Sequence, residues 1–134
     1  MNTTKNLIQQ YYDAFNKQDM QAFMNCLSDD VIHDINQGGT QNGKDAFAKF
    51  MEHMNHCYKE TASDIIIMAV EDGSHAAAEF TIEGTYLATD KGLPEAKQQQ
   101  YQLPVGSFFS IKNGKISRVR TYYNMQDWIN QVSQ

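Results

Sequence analysis

Cysteine is scarce in this chain of 134 residues: Cys26 and Cys57 are too few for a disulfide framework, so reduced, buried thiols are expected. Long apolar runs are absent too. None approaches the roughly 18 residues that a membrane helix needs, which excludes a helical span. Met1 to Asp13 carries one lysine and no continuous apolar block, so no secretory signal is read and the cytosol is the expected compartment. Basic charge is thin: 11 lysines and arginines face 16 acids, the net charge is −5, and no basic cluster exceeds Arg118-Val119-Arg120. A nucleic-acid partner is therefore disfavoured, because phosphate binding leans on a concentrated basic face. Internal repeats, a glycine-rich phosphate loop and a Gly-x-Ser-x-Gly elbow are all missing, which leaves nucleotide cofactors and covalent hydrolase chemistry without support. His53 and His56 stand three apart on the polar side of a helix, without the pattern of a metal motif, so neither a metal nor another cofactor is expected.

What remains is an ordinary globular composition, 41% apolar, and a length that favours one core. Thr4 to Lys17 places Leu7, Ile8, Tyr11, Tyr12 and Phe15 at helical spacing. Asp19 is a good N-cap for a second, shorter helix with Met20, Phe23, Met24 and Leu27 on its buried stripe, which makes an αα-hairpin. Asp30 to Asn36 reads as a short strand running into Gln37-Gly38-Gly39. Lys44 to Tyr58 is a third, amphipathic helix with Phe47, Phe50, Met51, Met54, Cys57 and Tyr58 on one side. The period then changes to that of strands: Ile65 to Glu71, His75 to Thr89, Gln99 to Lys112 and Lys115 to Asn124, the last two joined by the Asn113-Gly114 hairpin signal. Gln126 to Val132 is a short closing helix anchored by Trp128. Helices followed by an antiparallel meander give an α+β class, with the helices on one face of the sheet. Glu79, Glu83, Arg118 and Arg120 read as cross-strand charge pairs on its outer face.

Several local phrases are informative in their order. Tyr11-Tyr12-Asp13-Ala14-Phe15 precedes Asp19, Leu27-Ser28-Asp29-Asp30-Val31 leads into the first strand, and Gly43-Lys44-Asp45-Ala46-Phe47 opens the third helix. Asn113-Gly114-Lys115-Ile116 is followed by Tyr122-Tyr123-Asn124. Together, over essentially the whole chain, they resemble the NTF2-like superfamily in its SnoaL-like branch of ketosteroid isomerase-related proteins. The resemblance implies a cone-shaped fold, three N-terminal helices packed on a strongly bent antiparallel sheet, around a hydrophobic pocket. In the isomerases a first-strand aspartate shuttles a proton, while a helix-one tyrosine and a protonated aspartic acid hydrogen-bond the dienolate oxygen.

Carried over residue by residue, Tyr11 matches the tyrosine, although Tyr12 could equally be the inward one. For the base, the family's position falls ungapped on Ile35, one residue beyond Asp34. A one-residue slip exchanges the faces of a strand, so either His33 or Asp34 lines the pocket. The third position corresponds to Gly106, which has no side chain to donate and would widen the pocket or mark a bulge. Phe15, Met54, Gln102, Phe108 and Tyr123, with Thr121, are the expected ligand contacts. Two functional readings stand. One is a cofactor-free isomerase or cyclase moving a proton on a small apolar carbonyl compound, with Asp34 or His33 as base and Tyr11 as donor. The other is a non-catalytic module that holds an apolar ligand or assembles. Tyr101, Leu103, Val105, Phe109 and Ile111 alternate with a second apolar face that includes Phe108, and a strand apolar on both sides needs two partners. A homodimer through the sheet face is expected.

Overall fold

The computed structural model describes residues 2–134. Its elements run α1 (Asn2–Lys17), α2 (Met20–Asn25), β1 (Leu27–Asp34), β2 (Thr40–Asn42), α3 (Lys44–Cys57), β3 (Tyr58–Ala69), β4 (His75–Tyr86), β5 (Gln100–Lys112), β6 (Lys115–Tyr123) and α4 (Met125–Val132). Asp19 caps α2 by accepting from the Ala22 N–H, and Asn124 caps α4 by accepting from Asp127. Among the described residues no helix is long and apolar enough to cross a membrane, and both cysteines are free and buried.

The six strands form one sheet in the order β2-β1-β6-β5-β4-β3. Strands β3 to β6 are an antiparallel meander, but β1 runs parallel to β6, so the sheet is mixed and not purely antiparallel as expected. A parallel pair has no hairpin between its members. Here the partners are separated by most of the chain, and nothing local in sequence announces them. The three N-terminal helices that the resemblance implies are not matched as such: two helices precede β1, α3 follows β1 and β2, and with the closing helix, expected at Gln126 to Val132 and present as α4, the count is four.

The larger correction lies after α3. The helix ends at Cys57 and β3 begins at Tyr58, seven residues before the expected Ile65. From Tyr58 to Ala62 the side chains alternate inward and outward, then the register shifts between Ser63 and Ile66, where Asp64 has φ 53°. A bulge of this kind resets the alternation, so a period-two reading finds only the second half of the strand. The end of α1 is pinned nearby: Asn16 donates to the Ala62 carbonyl at 2.9 Å and accepts from its N–H at 2.8 Å.

The inner face of the sheet packs on α1 and α3. Val31 and His33 of β1, Tyr58 and Ala62 of β3, Phe80, Ile82 and Tyr86 of β4, and alternate residues from Tyr101 to Phe109 of β5 are buried. Trp128 of α4 closes one end with its ring against Tyr58, Tyr86 and Tyr101. Truncating so large a buried ring to alanine costs about 3–5 kcal/mol.

Candidate functional site

Between the helices and the inner sheet face lies a cavity of about 300 Å³, at the lower end of the usual range for small-molecule sites. Tyr11, Tyr12 and Phe15 of α1, with Phe47, Phe50, Met51 and Met54 of α3, supply its apolar wall. Tyr11 and Tyr12 both line it, edge to face with centroids 5.1 Å apart, so the choice between them does not arise. Burial holds the Tyr11 phenol well above its ordinary pKa, which keeps it a donor, and the neighbouring Tyr12 hydroxyl is buried without a hydrogen-bond partner among the described residues.

The register of β1 separates the two candidate bases. Val31 and His33 point into the core, whereas Asp34 pairs across the opposite face. Arg118 donates to the Asp34 carboxylate from Nε at 2.7 Å and from Nη2 at 3.2 Å, Arg120 Nε donates at 2.8 Å, and the Thr40 hydroxyl at 2.8 Å. The Arg118 hydrogen bonds lead in holding the Asp34 carboxyl far below the usual carboxylate range. Asp34 is thus outside the cavity and saturated, and the expectation that it serves as base is withdrawn. The arginines do not pair with Glu79 and Glu83 either. β5 stands between β4 and β6, opposing those glutamates with Gly106 and Gln102.

His33 is 5% exposed and sits in an aromatic box, stacked on Phe47 at 4.2 Å and edge-on to Phe50 at 4.7 Å. Its Nδ1 is buried with no partner among the described residues. Burial pushes the imidazole down to about 4, so it is neutral near pH 7.

A carboxyl that the sequence reading passed over faces the same cavity. Glu60 of β3 lies opposite Gly84 of β4, and Gly84 lies opposite Tyr101 of β5. The Tyr101 ring crosses over Gly84 and donates its hydroxyl to Glu60 Oε2 at 2.5 Å. Only glycine permits this crossing: a Cβ at position 84 would fall 2.4 Å from Tyr101 Cζ. Burial raises the Glu60 carboxyl above its ordinary value, and the Tyr101 hydrogen bond opposes that only in part. Its signal in sequence was weak, since Lys59-Glu60-Thr61 looks like a solvated turn when β3 is taken to begin at Ile65.

At the rim, His53 Nε2 lies 2.9 Å from Asp90 Oδ1 and 3.9 Å from Cys57 Sγ, while Tyr58 donates its hydroxyl to Asp90 Oδ2 at 2.7 Å. The sequence reading considered His53 only beside His56.

Phe15, Met54, Thr121 and Tyr123 line the cavity with Tyr11 and His33. Gln102 and Phe108 do not: both point outward on β5, and Gln102 bonds through its backbone to the Gln131 side chain. Gly106 shares that outward face, paired with Glu79 and Tyr122, so it neither widens the cavity nor occupies an inward position. The alternation of β5 is unbroken from Tyr101 to Phe109, and the extra residue at the Ser110/Ile111 shift, Ser117, lies on β6, so parity along β5 was readable and the error lay in which of its two apolar faces was taken as the inner one.

A family model for the SnoaL-like domain matches residues 8–119. The chain belongs to the SnoaL-like family. A candidate polyketide cyclase from Pseudomonas putida KT2440 is 58% identical, with a TM-score of 0.95 over 96% of this chain and 97% of that one. A second, from Silicibacter sp. TM1040, is 53% identical with a TM-score of 0.97, covering 100% and 98%. An NTF2-like protein from Burkholderia xenovorans LB400, at 12% identity over 98% and 96% of the chains and a TM-score of 0.78, shares the fold. No curated protein matches the chain. The SnoaL-like protein therefore has the NTF2-like architecture expected from its local phrases, with a cavity whose polar groups are differently placed.

Proposed function

We propose that this SnoaL-like protein is a proton-transfer enzyme of isomerase or cyclase type that uses no cofactor in the transfer itself, acting on a small, largely apolar carbonyl compound. The observation that carries the reading is Glu60: a carboxyl in a mostly apolar cavity, held by a single tyrosine and raised in pKa by burial. Burial strengthens a carboxylate as a base and weakens an imidazole, so the base role passes from His33 to Glu60. The Glu60 carboxylate takes the proton from the carbon beside the carbonyl. Neutral His33 and the Tyr11 hydroxyl donate to the oxygen on which the enolate charge collects. Return of the proton to another carbon gives isomerisation, and attack of the enolate carbon on a second carbonyl of the same molecule gives ring closure. The likeness to candidate polyketide cyclases at 58% and 53% identity supports this reaction class.

The test is solvent-deuterium exchange into a panel of apolar enones and β-dicarbonyl compounds. Exchange by the wild type that falls about 10²–10⁴-fold in Glu60→Gln, the usual worth of a general base, supports the reading. Binding without exchange would leave a ligand-holding module instead.

We further propose that a second copy covers the outer sheet face. Met68, Ala77, Phe108 and Arg120 form one rung across it, and Ile66, Glu79, Gly106 and Tyr122 the next. Ile66, Met68, Phe108 and Tyr122 are each about half exposed, an apolar stripe of the kind that marks an interface. Light scattering is expected to give a dimer mass for the wild type and a monomer mass for Phe108→Glu; a monomeric wild type contradicts it.

A further inference from the structure

We propose that His53, Cys57 and Asp90 bind a divalent transition-metal ion, zinc(II) by preference, at the rim of the cavity. These residues bring one nitrogen, one sulfur and one carboxylate oxygen within 4.8 Å of one another. A tetrahedral ion with ordinary zinc bond lengths sets edges of about 3.3 Å for nitrogen to oxygen and about 3.6 Å for nitrogen to sulfur. The observed separations are 2.9 and 3.9 Å. The three donor atoms spread over as much as 4.8 Å, and a sulfur-to-oxygen edge of about 3.6 Å requires the Cys57 and Asp90 side chains to draw together on the ion while the half-exposed His53 ring adjusts.

Both Asp90 and Cys57 address the same His53 nitrogen, whose single hydrogen serves the carboxylate at 2.9 Å and leaves the sulfur at 3.9 Å with a weak contact at most. An ion bound by that nitrogen in its unprotonated form takes a donor from each of the three groups. The mixed donor set of imidazole, thiolate and carboxylate is one that zinc accepts. Three protein donors leave a fourth position for water, and His53 and Asp90 both face the cavity.

The donors are also held in place before any ion arrives. His53 and Cys57 are four residues apart on α3 and so share one of its sides. The loop bearing Asp90 is tied to that helix end, since the Leu87 and Ala88 N–H groups donate to the Cys57 carbonyl at 2.7 and 3.2 Å. The Asp90 N–H donates to the Tyr86 hydroxyl at 2.9 Å, and that hydroxyl donates to the Pro94 carbonyl at 2.7 Å. Tyr58 occupies Oδ2 of Asp90 and leaves Oδ1 turned to His53, the outer support that fixes a ligating carboxylate.

Full-length protein without a tag, stripped with chelator, is titrated with zinc(II) by calorimetry and with cobalt(II) by absorption. One equivalent of zinc is expected, with a near-ultraviolet sulfur-to-cobalt band that persists in Cys26→Ala and is lost in Cys57→Ala. At least a tenfold loss of zinc affinity is expected in His53→Gln, which alters a half-exposed side chain and keeps the fold, as circular dichroism can verify. Absence of stoichiometric binding, a band that survives Cys57→Ala, or unchanged affinity in folded His53→Gln overturns the proposal.

Discussion

Asp34 and Glu60 are carboxylic acids on strands of one sheet, and its two faces have made them opposites. On the outer face Asp34 accepts from two guanidinium groups and a hydroxyl, and its carboxyl is held far below the ordinary range. On the inner face Glu60 has one tyrosine and an apolar cavity, and its carboxyl is raised. The arginines stabilise a charge and make it chemically inert. Desolvation destabilises a charge and so makes it ready to take a proton. A carboxylate beside a histidine in sequence is thus less informative than the face on which it lands.

The contrast can be broken most sharply at the level of turnover. Glu60→Gln is expected to remove exchange by orders of magnitude, whereas Asp34→Asn is expected to leave the rate within about threefold; equal losses would abolish the distinction. Gly84→Ala comes next. It forces the Tyr101 ring from its place over the backbone, with an expected loss of about 1–3 kcal/mol in urea unfolding, the usual cost of overpacking. Because the ring's hydroxyl is the group that lowers the Glu60 carboxyl, the acid limb of the pH–rate profile is expected to move upward in that variant.

Smaller effects separate the faces by pH. For Asp34 the folded value lies below the unfolded 3.8, so the stability it contributes is present above that pH and lost as the pH falls through the folded value. Asp34→Asn is expected to lower the urea midpoint modestly at pH 7 and to converge on the wild type in strong acid. His33 behaves differently, with a folded value of about 4 against an ordinary 6.5. The unfolded chain binds that proton first, so stability falls as pH drops from about 6.5 to 4, with a slope of up to one proton. His33→Gln is expected to flatten that slope, which thermal unfolding across the window measures.

Much of the fold was legible in the sequence. Helical spacing in α1, the Asp19 cap, the change to period two and the Asn113-Gly114 hairpin are local signals, and the structure contains each of them. The site was legible only in part. Tyr11, Phe15, His33, Met54 and Tyr123 do line the cavity, because helix faces and strand parity are readable where the period is unbroken. Three features hid the rest. The bulge in β3 concealed the strand that carries Glu60, the two apolar faces of β5 left open which one turns inward and so misplaced Gly106 and Phe108, and the β1–β6 pairing that gives Asp34 its arginines spans 84 residues. Each depends on what a strand meets across the sheet, which periodicity along one strand does not contain.

The two carboxyls can be compared directly by titrating side-chain 13C carboxyl resonances of the folded protein, assigned with Glu60→Gln and Asp34→Asn. The account predicts that Glu60 titrates above its ordinary 4.5 while Asp34 stays ionised well below 3.8. Two ordinary titrations, or a Glu60 that titrates below Asp34, would contradict it.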